Sequence, residues 1–388
     1  MDRNKLAKTY QKKTDREHIL DAPDTYIGST LEDETINWIF SKNGEIVRKK
    51  YKWTPGLYKL FDEGLVNCKD HHTRLLNKPK STQVSMISID IDKQSGTISM
   101  FNDGDGIDVE KHPEYKIWIP EMIFGHLRTS TNYRKEEEKI VGGKNGFGVK
   151  LIMIYSVWAK IETFDHYRGL KYIQEFKNNL SIIGKPTIKK MSKGLKPYTK
   201  ITFLPDYKRF GIKNISTDMF RLLKKRVYDI AAITSKSVKV SFNSNIIPVR
   251  SFEQYIDLYI GPKSDCKRLY EKSGPRWEMA VCLSPVDEFT QVSFVNGIYT
   301  GKGGKHVDYI LGQITKKMVT YIEKKKKMRV KPVTIKEQLM LFVNCTIVNP
   351  SFDSQTKDYM NTPPSRFGSV FRVSDKLIDK LAKMGVME

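Results

Sequence analysis

Three short segments hold the residues best suited to chemistry. In Leu60-Phe61-Asp62-Glu63-Gly64-Leu65-Val66-Asn67-Cys68-Lys69-Asp70, the polar residues Glu63, Asn67 and Asp70 stand at i, i+4 and i+7. That spacing places them on one face of a helix, with Phe61, Leu65 and Cys68 on the other, free to pack. Taken alone, such a stripe is equally an ordinary solvated face. The second segment is Asn102-Asp103-Gly104-Asp105-Gly106-Ile107. Two glycines one residue apart let the backbone approach a flat ligand, and a side-chain oxygen at the leading position can accept from an exocyclic amine. A plain Asp/Gly turn has the same composition; a calcium loop does not fit, because no bidentate Glu follows at the required spacing. The third, Val141-Gly142-Gly143-Lys144-Asn145-Gly146-Phe147-Gly148-Val149-Lys150, opens an apolar run suited to a helix. Successive N–H groups at a glycine-rich turn and helix N-terminus form an anion nest, to which Lys144 or Lys150 can add charge. It is not a P-loop, since G-x-x-x-x-G-K-[ST] is absent. Nor is it a dinucleotide fingerprint, since no acidic residue ends a second strand about 20 residues on.

These segments need elements to hold them. Pro55 marks the start of a helix over about Gly56–Leu76. Ser85–Asp92 alternates apolar and polar residues as a half-buried strand does, and the turn Lys93-Gln94-Ser95-Gly96 leads to a second strand, Thr97–Phe101. Further strands are expected at Thr199–Phe203, Gln291–Asn296 and Leu339–Val348. Apolar residues at 307, 310, 311, 314, 318 and 322 have helical spacing, and a last helix is expected over Ser374–Met384. The first 30 residues are polar and read as an arm. A polar turn near Asn245–Pro248 reads as a boundary, giving an arm (1–30) and domains over 31–248 and 249–388. Mixed strands and helices throughout indicate an α+β chain.

Bulk properties narrow the classes. The chain has 388 residues, enough for two cores, with 67 basic and 44 acidic residues and a formal net charge of +23. Such a surplus suits a partner that is a polyanion, nucleic acid or an anionic membrane surface. No apolar run approaches the ~20 residues of a membrane span, and the charged start Met1-Asp2-Arg3-Asn4-Lys5 is unlike a secretory leader, so an intracellular protein is expected. Cys68, Cys266, Cys282 and Cys345 are far apart and form no C-x-x-C pair, so no zinc site is expected.

In order, a helix with Glu…Asn, a strand with N-D-G-x-G, a G-x-N-G-x-G turn and a Thr-bearing strand resemble the GHKL ATPases. More closely, the chain resembles the ATPase region of eukaryotic-type (type IIA) DNA topoisomerases. Matching stretches are Tyr10-Gln11-Lys12-Lys13-Thr14, Pro23-Asp24-Thr25-Tyr26-Ile27-Gly28-Ser29, Pro55-Gly56-Leu57-Tyr58-Lys59, Ser293-Phe294-Val295-Asn296, Gly303-Gly304-Lys305-His306-Val307-Asp308-Tyr309 and Pro350-Ser351-Phe352-Asp353-Ser354-Gln355-Thr356-Lys357. The implied fold is a GHKL (Bergerat) sandwich followed by a smaller α/β transducer domain.

The resemblance also implies roles. Glu63 is the general base for ATP hydrolysis, Asn67 a ligand of Mg2+, and Asp70 orients water or Arg74. Asn102 recognises adenine, with Thr199 on the sheet behind it. Ser130, Thr131 and Asn132 contact ribose and phosphate, and Gly143, Lys144, Asn145, Gly146, Phe147, Gly148, Val149 and Lys150 form a lid over the triphosphate. Gln355, Thr356 and Lys357 reach the nucleotide from the second domain, Lys357 supplying charge to the γ-phosphate. The arm crosses to a second copy in an ATP-dependent homodimer, Tyr10 lying near the partner's nucleotide or anchoring its own chain. Lys324, Lys325, Lys326 and Lys327 either cap their helix or contact duplex DNA without sequence preference. Gly64, Cys68, Lys69 and His71 depart from the family's usual residues, with Lys69 and His71 expected to alter the field near metal and phosphates. The family's metal-binding and DNA-cleavage domains are expected on the rest of a longer chain, in the nucleus or, for a viral protein, in the host cell. The alternatives are a non-hydrolysing nucleotide-dependent DNA clamp and another GHKL ATPase of the chaperone or mismatch-repair kind.

Overall fold

The computed structural model describes residues 12–127, 129, 140–143, 148–192, 194–286 and 288–386. Tyr10, Ser130, Thr131, Asn132, Lys144, Asn145, Gly146 and Phe147 lie outside the described residues.

Two short helices, α1 (Asp15–Asp21) and α2 (Pro23–Tyr26), precede a hairpin of β1 (Asp33–Phe40) and β2 (Ile46–Trp53) and the long helix α3 (Pro55–Leu76). Next come β3 (Met86–Ile91), β4 (Ile98–Asp103), α4 (Ile119–Gly125), α5 (Gly148–Ile154), β5 (Ser156–Asp165), β6 (Leu170–Lys177), β7 (Ile182–Ile183), β8 (Thr187–Lys190), β9 (Tyr198–Pro205), α6 (Thr217–Ile233), β10 (Lys239–Phe242) and β11 (Asn245–Ile246). The remainder holds α7 (Phe252–Ile260), β12 (Leu269–Ser273), β13 (Trp277–Leu283), β14 (Thr290–Val295), β15 (Ile298–Tyr299), α8 (Lys305–Lys326), α9 (Pro332–Glu337), β16 (Leu339–Cys345) and α10 (Asp375–Ala382).

Among the described residues β3–β11 form one nine-stranded sheet, ordered β11-β10-β3-β4-β9-β5-β6-β7 with β8 also on β6. A five-stranded sheet has the order β12-β13-β16-β14-β15. The α+β expectation holds. Helix α3 packs between the larger sheet and helices α5 and α6, which is why fourteen of its residues are buried, polar ones among them. Gly64 permits that approach: a Cβ there would lie 2.4 Å from Met100 Sδ on β4. Its departure from the family pattern is therefore a matter of close packing, set against a helix-propensity cost of up to about 1 kcal/mol.

The second sheet is buried on both faces. On β16, Leu339, Leu341, Val343 and Cys345 face a core shared with α8, while Met340 and Phe342 join the core of the first sheet. An unbroken apolar run is what two buried faces demand. The six apolar positions foreseen on α8 are all buried.

From residue 12 onward the polar opening segment packs on the core. Thr14 and Glu17 form a capping box at the start of α1, and Ile19 and Ile27 are completely buried. Few apolar residues suffice when they fall on one side. Asn245 and Ile246 form β11 and not a turn, and beyond them comes a helix, α7, before any strand; its Phe252, Tyr255 and Ile256 continue the first core.

Candidate functional site

The site begins on α3. Glu63 is buried, and its Oε1 accepts from Lys59 Nζ at 2.8 Å, one turn earlier, and from Lys357 Nζ at 3.1 Å. Burial by itself raises a carboxyl pKa, but the two ammonium groups outweigh it and hold Glu63 down at about 2. Lys357 arrives from the loop after β16 in a left-handed backbone conformation, φ 63°. That loop packs on the start of α3: the Thr356 methyl lies 3.4 Å from the Cβ position of Gly28, whose other neighbour is Pro55. Thr356 Oγ1 donates to Asp358 at 2.9 Å, and Gln355 is half-buried beside it.

Helix α5 closes on the same carboxylate. A Cβ at Gly148 would lie 2.2 Å from Glu63 Oε2, so only glycine lets the C-terminal end of the glycine-rich turn come this near. Val149 is half-buried; Lys150 is buried and points elsewhere, donating to the Thr129 carbonyl at 2.7 Å. Burial lowers its pKa to about 8. The other end of the turn is tied to α3 by Asp70, whose Oδ1 and Oδ2 accept from the N–H groups of Gly142 (2.9 Å) and Gly143 (2.8 Å). Burial raises the Asp70 pKa and the nearby Arg74 charge opposes that rise, so Asp70 joins the glycine-rich turn to α3 while keeping an electrostatic link to Arg74.

Asn67 follows Glu63 by one turn and is half-buried. A neutral amide oxygen on the Glu63 face suits a hard cation that keeps waters and phosphate oxygens, so the residue fits the Mg2+ role. The described residues contain no cluster of three or more His, Cys, Asp or Glu able to hold a metal.

Asn102 is buried on β4, opposite Thr199 on β9, which is opposite Thr163 on β5. Thr163 and Thr199 hydroxyls are 3.0 Å apart, and Thr163 Oγ1 accepts from Ile107 N–H at 2.9 Å. The Asn102 amide donates to the Asp103 carbonyl, leaving its oxygen as the acceptor. Three strands thus present a polar row at one level beside the Asn-Asp-Gly-Asp-Gly turn. Gly106 is needed there because a Cβ would lie 2.0 Å from the Phe164 carbonyl oxygen.

The residues that depart from the family pattern take these places. Lys69 lies along Gly297, with Cδ 2.6 Å from that residue's Cβ position. His71 hydrogen-bonds through Nε2 to the Asp105 carbonyl at 2.8 Å, and burial lowers its pKa to about 4, so it serves as a neutral donor bracing the turn. Lys324, Lys325 and Lys326 end α8, with Lys327 as a left-handed cap; all four are exposed and remote from this pocket in sequence. Lys59 and Thr163 were missed. Lys59 was readable as an i, i+4 partner of Glu63, whereas the pairing of Thr163 with Thr199 has no local signal.

The family described as DNA gyrase B matches residues 231–387. DNA topoisomerase 2 of Acanthamoeba polyphaga mimivirus is 46% identical over 393 residues, covering 99% of this chain and 30% of that protein. The chain thus spans under a third of the length of such curated relatives. The ATPase region of Saccharomyces cerevisiae topoisomerase II superposes with a TM-score of 0.90 at 41% identity, over 97% of this chain and 96% of that one. The ATPase and transducer domains of DNA topoisomerase II from Balamuthia mandrillaris give 0.91 at 39% identity, over 98% and 96%.

The depressed pKa of Glu63 has a pH signature. Its folded value, about 2, lies below the ordinary 4.5. The ion pairs therefore contribute in full above about pH 4.5, and their contribution is lost as pH falls toward 2. Glu63→Gln should flatten the fall in unfolding free energy below pH 4.5 by up to about 1.4 kcal/mol per pH unit. Urea titrations at several pH values measure it, and an unchanged slope would mean that the pairs do not form.

Proposed function

Since the chain belongs to the DNA topoisomerase II family, matching its ATPase region along nearly the whole length, we propose that it binds and hydrolyses ATP as the dimerising N-terminal gate of such an enzyme. The observation that carries this reading is the meeting of Glu63 with Lys357, 294 residues apart, at a buried point beside Gly148. A proton acceptor and a mobile-ended cation are what phosphoryl transfer to water requires.

Adenine stacks into the row formed by Asn102, Thr163 and Thr199, with the Asn102 oxygen accepting from the exocyclic amine. The resemblance assigns the phosphates to the glycine-rich segment from Gly143 to Lys150, and the ribose and phosphate contacts to Ser130, Thr131 and Asn132. Asn67 would hold Mg2+, whose charge neutralises phosphate oxygens. Glu63 orients the attacking water and takes its proton. A carboxylate held at about 2 is a weak base; it strengthens as Lys357 turns its charge toward the γ-phosphate, because one of its two counter-ions is then shared. Gln355 and Lys357 thereby report the nucleotide's state to the second sheet. Strand passage, duplex DNA and the remaining domains belong to the longer protein that this reading requires.

Phosphate release by the chain, measured beside Glu63→Ala, tests the chemistry. The variant should lose at least a hundredfold in turnover while still binding nucleotide; turnover that survives would remove Glu63 from the role of base. A chain that closes on a non-hydrolysable analogue yet releases no phosphate would instead be a clamp. Light scattering should show the analogue converting monomer to dimer at micromolar concentration, and a persistent monomer would refute the gate. For DNA, replacing Lys324–Lys327 by Gln should reduce the slope of log affinity against log salt by about 0.9 for each phosphate left without its lysine. An unchanged slope would leave these lysines as helix caps.

A further inference from the structure

β14 and β15 are joined by Asn296 and Gly297, both at positive φ (52° and 88°), between the paired Val295 and Ile298. An Asn-Gly two-residue turn is a standard hairpin end, and such tips ordinarily face water. This one is buried: Asn296 is 3% exposed and Ile298 1%. It is inserted between its own sheet and helices α3 and α6, and Asn296 and Ile298 reach the start of the glycine-rich turn.

Asn296 is fixed by its own sheet, accepting from Ile347 N–H (2.8 Å) and donating to the Ile347 carbonyl (2.9 Å). Its amide also reaches the Val141 carbonyl, at 3.4 Å, at the start of the lid. Ile298 lies 3.1 Å from the Cβ position of Gly142, the next lid residue. The Gly297 carbonyl accepts from Arg226 Nη2 at 2.6 Å, while Nε of the same guanidinium donates to Asp62 Oδ1 at 2.6 Å. Asp62 immediately precedes Glu63. Arg226 is wholly buried; desolvation works against its charge, and Asp62 holds it protonated. One planar side chain thus ties the catalytic helix to a backbone oxygen of the second sheet, as only a guanidinium fork can.

We infer that the 296–298 turn is a second link between the transducer sheet and the ATP pocket, separate from the Gln355–Lys357 loop, and that Arg226 is the positioning residue through which it holds α3. This rests on the hydrolytic reading above. Displacement of the second sheet moves Gly297, and Arg226 passes that movement to Asp62 and so to the register of Glu63. The same displacement loads Val141 and Gly142, the lid base that Asp70 fastens to α3. The link acts on the placement of base and lid, not on nucleotide contacts.

Arg226→Lys keeps a cation beside Asp62 but cannot bridge to Gly297. At saturating ATP its kcat should fall about tenfold with KM within twofold. Its Gly142 and Gly143 amides should exchange with deuterium at least tenfold faster, those of β13 and β16 remaining as in the unaltered chain. The double variant Arg226→Met/Asp62→Leu removes both charges, and Asp229, 3.7 Å from Arg226 Nη1, keeps its pairing with Lys225 at 3.2 Å; it should show the same split. Turnover within twofold and unchanged amide exchange would overturn the link. So would losses that only follow a general fall in melting temperature and in β13 and β16 protection. If the unaltered chain hydrolyses no ATP, the hydrolytic reading fails, and the exchange measurement alone decides the link.

Discussion

A carboxylate removed from water is tolerated only in the company of cations, and Glu63 is the point at which this chain must meet that demand. Lys59 comes from its own helix, a turn away, and is present wherever the helix is. Lys357 comes from a loop that the second sheet carries. Full compensation of the buried charge therefore exists in only one relative placement of the two sheets. A local electrostatic requirement becomes a constraint on architecture: the helix, the loop of residues 353–358 and the interface between them have to agree within hydrogen-bond distance.

Close approach makes this agreement possible. Gly148 and Gly64 let two sides of α3 come nearer to their neighbours than any side chain would allow, and Gly106 does the same beneath the Asn102 turn. Around these contacts several buried polar groups are paired, although Arg226 Nη1 makes no hydrogen bond. Asp70 takes two lid N–H groups, His71 one carbonyl, and Arg226 bridges Asp62 and Gly297. Helix α3 is thus held on several sides by short, directional contacts, two of which come from parts of the chain that the second sheet carries.

Much of the fold was legible because its signals are local. Pro55 and the polar stripe marked α3, alternation marked β3 and β4, and the apolar spacing of α8 matched its buried face residue by residue. The three motif segments also converged on one region, Glu63 beside Gly148 and Asn102 beside Thr199. What could not be read was set by distance along the chain. The direction of Lys69, the partner of Asp70 and the tie from Arg226 to Gly297 depend on residues 70 to 230 positions away. No periodicity records such pairings. α6 and α7 were passed over because the motifs lie outside them, although Ser216 and Ser251 cap both helices in the ordinary way. Burial of the polar face of α3 was equally invisible, since a stripe of Glu, Asn and Asp looks the same whether water or a second sheet lies over it.

The Asn296–Gly297 turn bears on chemical ageing. Asn followed by Gly is the dipeptide most open to deamidation, because the unhindered glycine nitrogen can attack the side-chain carbonyl and close a five-membered imide. At this turn the Asn296 amide is held at both ends by Ile347 and shielded from water. The two bonds to Ile347 oppose a swing of the carbonyl carbon toward the Gly297 nitrogen, and burial limits the water that hydrolysis of an imide would need. A sequence that would date the molecule on an open surface is, in this interface, kept from recording time for as long as the two sheets stay joined.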